Sequence, residues 1–329
     1  MVSAAEYKDF VFVYTGSDTR PVWNETAFRE LLTCDGRQLS KREFFRSVVL
    51  LETRSNARKA FAHPSSKRPA AGGADDRDWL NLIDTWFSRD GALESLNRAA
   101  SSLNSGVVDV WIGIPEPIKG TAFFIPGKGP TNLVSDADRV RAVQWFVETV
   151  FERWQTKNFQ RLRFVGFYWL DESLVNTKDI VVQAISVARS TAVRKGFSPA
   201  PSFLWVPFWK AKYRADWKML GFDVAVIQPN LYVKDDVAES RVLEALDFAS
   251  TSGMGFEIEI DDKIFSDPLK RIKAGKYLSS LQKGSPFGSV VGLYQGNGAI
   301  LKINKDVSTQ DYAKDLCDVI SDRAKLHHR

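Results

Sequence analysis

One pattern limits the folds open to this chain more than any other. Short runs of β-branched and aromatic residues recur along it, and a stretch that reads as helix follows nearly every one. The runs are Phe10–Gly16, Phe44–Leu51, Val107–Pro115, Phe164–Glu172, Phe203–Trp209, Phe222–Tyr232, Met254–Asp261 and Ser289–Gln295. Such near-continuous apolar runs are what parallel strands look like when both faces are covered. Between them, Trp79–Phe87, Leu93–Leu103 and Asp179–Lys195 repeat apolar residues at helical spacing, and Ser135 or Asp136 opens a long helix with a buried stripe from Val143 to Trp154. Strand then helix, repeated eight times, predicts an α/β fold. It is a single (β/α)8 TIM barrel over residues 1–329, with a long loop, Thr53–Asp78, after the second strand and a C-terminal helix, 309–325, closing the ring.

The rival architecture, an open doubly wound sheet, normally carries a glycine-rich phosphate turn after its first strand. Here Tyr14-Thr15-Gly16-Ser17 holds one glycine, and neither nucleotide-binding glycine motif occurs anywhere. No cofactor is expected. The histidines are His63, His327 and His328, and the cysteines are Cys34 and Cys317. A Ser-His-Asp triad, a Cys-His dyad or a histidine metal site would rest on His63 alone, which argues against all three. The cysteines make no disulfide framework, although a closed barrel brings its chain ends near enough for the two to pair.

The formal net charge is +5 with both signs interspersed, apart from Arg54, Arg58, Lys59, Lys67 and Arg68 in one loop. That stretch reads either as a solvated loop or as a contact for an anionic ligand, such as an acidic polysaccharide or nucleic acid. No zinc knuckle, RNA-binding aromatic motif or continuous basic helix is present, so nucleic acid is not the expected partner. The first residues lack the apolar segment of a signal peptide, and no stretch approaches the ~20 apolar residues that span a membrane. A soluble protein is expected, with its location and oligomeric state left open.

Barrel chemistry sits at the carboxyl ends of the strands. Those ends hold Tyr14, Glu116, Asp171, Glu172, Trp209, Gln228, Asn230, Glu257, Glu259, Asp261, Tyr294 and Gln295. Carboxylates, amides and aromatics without histidine point to glycoside cleavage by paired acids. In the seventh run Glu257, Glu259 and Asp261 alternate with Phe256, Ile258 and Ile260. Period two puts the acids on one face, and the apolar face belongs under the helices, so the acids point into the barrel. At the end of the fourth run Glu172 is the expected proton donor, with Asp171 in support. Asp171 reads equally as a cap for the next helix. Glu259, or Glu257 beside it, is the expected nucleophile or base. Tyr14, Tyr168, Gln228, Asn230 and Tyr294 are expected to bind hydroxyls, and Trp205 or Trp209 to stack on a sugar ring.

Four blocks carry a resemblance: Gly166-Phe-Tyr-Trp-Leu-Asp-Glu172, Leu204-Trp-Val-Pro207, Gly221-Phe-Asp-Val-Ala-Val-Ile-Gln-Pro-Asn230 and Met254-Gly-Phe-Glu-Ile-Glu259. They resemble the bacterial family catalogued as domain of unknown function 4855, most closely from the third strand onward. The resemblance implies a barrel related to glycoside hydrolases and a role in polysaccharide breakdown. A more distant likeness to the large retaining-glycosidase clan implies an acid/base at Glu172 and a nucleophile at Glu257 or Glu259. This chain departs from that clan in carrying Asp171 where an Asn usually precedes the acid. Two other readings use the same residues: a non-catalytic carbohydrate-binding barrel, and a hydrolase holding Mg²⁺ or Ca²⁺ on Glu257, Glu259, Asp261 and Asp171.

Overall fold

A computed structural model describes residues 7–34, 44–63, 70–104, 106–283 and 289–326. The N-terminal residues read for a signal peptide, the loop positions Pro64, Lys67, Arg68 and Pro69, and the histidines His327 and His328 lie outside the described residues.

Among the described residues, eight parallel strands close into a barrel, each paired with its neighbours in the chain and the last paired with the first. In chain order they are β1 (Phe10–Tyr14), β2 (Ser47–Leu51), β3 (Val108–Ile114), β6 (Leu162–Trp169), β7 (Ser202–Trp205), β8 (Val224–Ile227), β9 (Gly255–Glu259) and β10 (Val291–Tyr294). The labels β4 (Phe123–Ile125) and β5 (Gly129–Thr131) belong to a small antiparallel hairpin in the stretch that reads as a Gly/Pro-rich loop. Helices α1 (Glu25–Leu32), α2 (Asp76–Phe87), α3 (Ala92–Ser102), α4 (Asp136–Thr156), α5 (Lys178–Arg194), α6 (Arg241–Ser252), α7 (Pro268–Lys283), α8 (Ile300–Ile303) and α9 (Gln310–Leu326) interleave with the strands.

Strand parity sorts side chains between the lumen and the helical layer. On β1, Phe10 and Phe12 face inward, and the Phe12 ring meets Tyr168 of β6 across the lumen at 5.2 Å. Opposite Phe10 only a glycine fits, because a Cβ on Gly292 would stand 2.7 Å from its ring. Outward-facing Phe167 packs on Phe203 and on Phe151 of α4.

The observed strands β7 and β8 are shorter than the apolar runs Phe203–Trp209 and Phe222–Tyr232. Pro207 and Pro229 follow them, and a proline offers no N–H to a ladder. Beyond β7 and β8 only a single bridge, Phe208 to Gln228, continues the pairing. Helix α2 begins ahead of the expected Trp79, because Asp75 and Asp78 form a reciprocal capping box. The loop after β2 is folded back on itself: Phe61 N–H donates to Thr53 O at 3.0 Å and Ala60 N–H to Gly72 O at 2.8 Å.

Two links close the ring. Arg323 of α9 grips buried Asp9 at 2.6 and 2.9 Å, and Asp9 also accepts from Val291 N–H of β10 at 2.7 Å. Cys34, just past α1, is bonded to Cys317 of α9 across 283 positions of sequence. No helix among the described residues is long and apolar enough to cross a membrane.

Candidate active site

Parity decides what each strand end delivers. On β6 and its continuation, Tyr168, Leu170 and Glu172 line the space above the lumen. Trp169 turns the other way, while Asp171 borders the same cavity with its oxygens taken up by the loop that follows. The Trp169 indole N–H donates to Thr177 Oγ1 at 3.0 Å. Asp171 is the organiser of the loop into α5: Oδ1 accepts from Ser173 N–H, Ser173 Oγ and Leu174 N–H, and Oδ2 from Asn176 N–H and Thr177 Oγ1. The cap reading of Asp171 therefore describes what its carboxylate binds, and the residue also borders the cavity beside Glu172.

The same rule corrects the expected stacking tryptophans. Trp205 is fully buried, its ring stacked on Phe222 at 5.3 Å and its N–H given to Asp171 O at 3.0 Å. Trp209 lies against Phe248, with the Arg214 and Arg241 guanidinium groups 4.5 and 4.7 Å from its ring centroid. Both have outward parity. The aromatic that reaches the cavity from this strand is Phe208.

Glu172, Glu257 and Glu259 line one cavity of about 450 Å³, together with Tyr14, Tyr168, Gln228, Asn230 and Tyr294. The expected acids and hydroxyl-binding residues other than Asp171 and the two tryptophans thus share one wall system. The two amides also organise each other. Asn230 has a left-handed backbone, φ 58°, which asparagine tolerates better than most residues. Its Nδ2 donates to Gln228 Oε1 at 3.2 Å and Glu259 Oε1 at 3.3 Å, and its Oδ1 accepts from Trp209 N–H at 3.2 Å.

The acids of β9 stand in contrasting surroundings. Glu259 accepts from the Tyr277 hydroxyl, from Tyr232 N–H and from Asn230. Burial pushes its carboxyl up to about 7, while those three donors hold it down. Glu257 is equally buried, and among the described residues no hydrogen bond reaches it. Burial, then Glu259 and Glu172, push its carboxyl well above the ordinary range. Donors stabilise a carboxylate and their absence favours the acid, so of the pair Glu259 ionises first and Glu257 keeps its proton longer. Tyr14 and Tyr168 are pushed well above the ordinary tyrosine value, chiefly by burial, so they stay neutral donors.

A second cavity of about 590 Å³ shares Tyr14, Tyr168, Glu172 and Phe208 with the first. Glu172 therefore stands where the two meet. Glu116, just beyond β3, lines this second space; its Oε2 accepts from His63 N–H at 2.8 Å and its Oε1 lies 3.4 Å from His63 Nδ1. Burial and then Asp171 push its carboxyl up to about 8. Among the described residues no three His, Cys, Asp or Glu side chains converge as metal ligands: Asp171 is held in its loop, and Asp261 accepts from Tyr232 Oη and Lys263 N–H.

Several contributors carry weak sequence signals. Tyr232 and Tyr277 act on Glu259 from outside the barrel strands, and no local pattern marks them. Glu52 follows the apolar run of β2 as Glu172 follows that of β6. It binds Arg20 at 2.6–3.1 Å, and the guanidinium lies 4.8 Å from the Tyr14 ring centroid, fixing that ring in the wall.

No curated protein sequence matches the chain. Its backbone path is similar to that of a GH5-4 broad specificity endoglucanase from an uncultured bacterium, at 7% identity over 99% of this chain and 95% of that one, with a TM-score of 0.47. A GH18 chitinase from Pseudoalteromonas aurantia is similar at 10% identity over 94% and 100%, TM-score 0.47. The PgaB (BpsB) glycoside hydrolase domain from Bordetella bronchiseptica is similar at 11% identity over 96% and 98%, TM-score 0.47. The model of one family, Domain of unknown function (DUF4855), matches residues 9–320, nearly the whole chain, and the chain belongs to that family.

Proposed function

We propose that this barrel hydrolyses glycosidic bonds in a poly- or oligosaccharide. One observation carries the reading. Glu172 and the Glu257/Glu259 pair line a single cavity, and within the pair the surroundings favour the charge on Glu259. Glu172, half-buried at the meeting of two cavities, gives its proton to the glycosidic oxygen as the bond to C1 breaks. Glu259 supplies the negative charge that faces C1, either as nucleophile or as base for the attacking water. Glu257, kept protonated, and the neutral hydroxyls of Tyr14 and Tyr168 donate hydrogen bonds to sugar hydroxyls.

The test is reducing-sugar release from a panel of neutral and acidic polysaccharides, with Glu172→Gln alongside the unaltered protein. Glutamine cannot donate the proton, so turnover should fall by about 10²–10⁴-fold with no change in melting temperature. Unchanged turnover in Glu172→Gln removes that residue from the mechanism. Oligosaccharide binding with no release from any substrate replaces the hydrolase reading with the carbohydrate-binding one. NMR of the first-formed anomer separates a nucleophilic Glu259 from a base.

A further inference from the structure

A third cavity, about 540 Å³, opens from the same wall: Tyr14 and Tyr294 line it and the carboxylate cavity alike, and Thr53 and Arg54 line it and the Glu116 cavity. Its chemistry differs from theirs. Arg20, Arg54, Arg58 and Lys263 all border it. Arg20 is committed to Glu52. The side chains of Arg54, Arg58 and Lys263 have no ion-pair or hydrogen-bond partner among the described residues. The two acids in this cavity are already matched: Asp262 pairs with Lys302 at 3.0 Å, and Asp261 accepts from Tyr232 Oη at 2.9 Å and Lys263 N–H at 2.8 Å.

The loop between β2 and α2 holds its cations over this space by its own fold. Ser55 N–H donates to Lys59 O and Arg58 N–H to Ser55 O, both at 2.9 Å. That tight turn sets Arg58 at φ 63°, a conformation uncommon for a non-glycine residue. Lys59, by contrast, turns away to Asp75 and Asp78. The loop thus separates one cation that holds its own structure from two that face the groove.

We propose that this cavity is a subsite for a carboxylate-bearing sugar, and that the polymer cut at Glu172 is an acidic, uronate-containing polysaccharide. The inference rests on the hydrolase reading for the word "cut" and on the basic cavity alone for the word "acidic". Guanidinium forks match planar carboxylates in two parallel hydrogen bonds, which suits Arg54 and Arg58 to a uronate. The carboxyls elsewhere in the groove do not repel such a chain as their number suggests, since burial keeps Glu257 and Glu116 protonated near neutral pH. A nucleic acid is the poorer occupant, because its evenly spaced phosphates would run on from the basic cavity against the Glu259 carboxylate.

The experiment is calorimetric titration of the whole Glu172→Gln protein with an oligogalacturonate, a neutral galactose oligomer of the same length and an oligothymidylate. Arg54→Gln, Arg58→Gln and Lys263→Gln are then added singly. Oligogalacturonate should bind tightest and weaken with salt, and each added substitution should lower its affinity by about tenfold while leaving the neutral oligomer unaffected. Melting temperatures check that the variants fold. Equal affinity for the neutral oligomer, with no effect of the three substitutions, overturns the inference and leaves the hydrolase reading untouched. Oligothymidylate binding as tightly as oligogalacturonate also overturns it, since the cavity would then read charge alone. Arginine-dependent uronate binding, in a protein whose unaltered form cleaves none of the panel, sustains the subsite and fails the hydrolase reading instead.

Discussion

Removing the Tyr277 hydroxyl isolates the electrostatics of Glu259. In Tyr277→Phe the carboxylate loses one of its three donors, and Tyr232 N–H keeps its longer bond to the same carboxylate at 3.4 Å. A hydrogen bond to a charged group contributes roughly 1.5–3 kcal/mol, which is roughly 1–2 pKa units of preference for the ionised form. The Glu259 carboxyl, about 7 in the native protein, should therefore rise by roughly 1–2 units. Stability carries the signature. Glu259 titrates above its ordinary value of 4.5, so between 4.5 and about 7 the folded chain holds a proton that the unfolded chain has lost. Native stability falls with rising pH across that window and levels off above it. The substitution extends the window upward. Its destabilisation should be small at pH 5, where Glu259 is protonated in both folded proteins, and larger by roughly 1.5–3 kcal/mol at pH 9. Urea titration of both proteins at the two pH values measures the difference. An equal loss at both pH values would show that Tyr277 fills space beside Glu259 without setting its charge.

Two further outcomes concern Glu116 and the disulfide. Glu116 titrates near 8, so the native fold is penalised increasingly from pH 4.5 upward and fully above 8. Glu116→Gln, which can still accept from His63 N–H, should match the native protein at pH 4 and exceed it at pH 9 by a few kcal/mol, roughly 2–4, in urea titration. The Cys34–Cys317 bond closes nearly the whole chain into a loop, so Cys34→Ser or a reducing agent should lower stability by roughly 2–5 kcal/mol in the same assay. No change on reduction would mean that Arg323 and Asp9 hold the ring closed without help.

The barrel was legible because its signal repeats. Each apolar run is weak evidence, but eight alternating with helices leave few alternatives, and Pro207 and Pro229 explain where the observed strands stop short of the runs. The site was legible where parity could be read. In β9 charged and apolar residues alternate, which puts Glu257 and Glu259 on one face without any knowledge of the neighbours. In β6 both faces are apolar or aromatic, so the same reasoning could not choose between Asp171 and Glu172, and in the run that contains β7 it could not tell whether Trp205 and Trp209 face the lumen. The choice there is made by side chains far away in sequence. Phe12 admits Tyr168 to the lumen, and Phe222 takes Trp205 out of it.

The tyrosines around Glu259 lie beyond local patterns altogether. Tyr277 sits on a helix whose ring contact is Phe256, on the outer side of β9, and its hydroxyl reaches over the strand end to a carboxylate of opposite parity. A strand-by-strand reading assigns such a residue to the core and stops there. Its chemical effect comes from the placement of Glu259, the last residue of β9, within reach of that hydroxyl. Without those three donors, burial alone would act on Glu259 as it does on Glu257. The contrast between Glu259 and Glu257 is thus set by a helix and by the stretch after β8, neither of which belongs to the strand that carries the two acids.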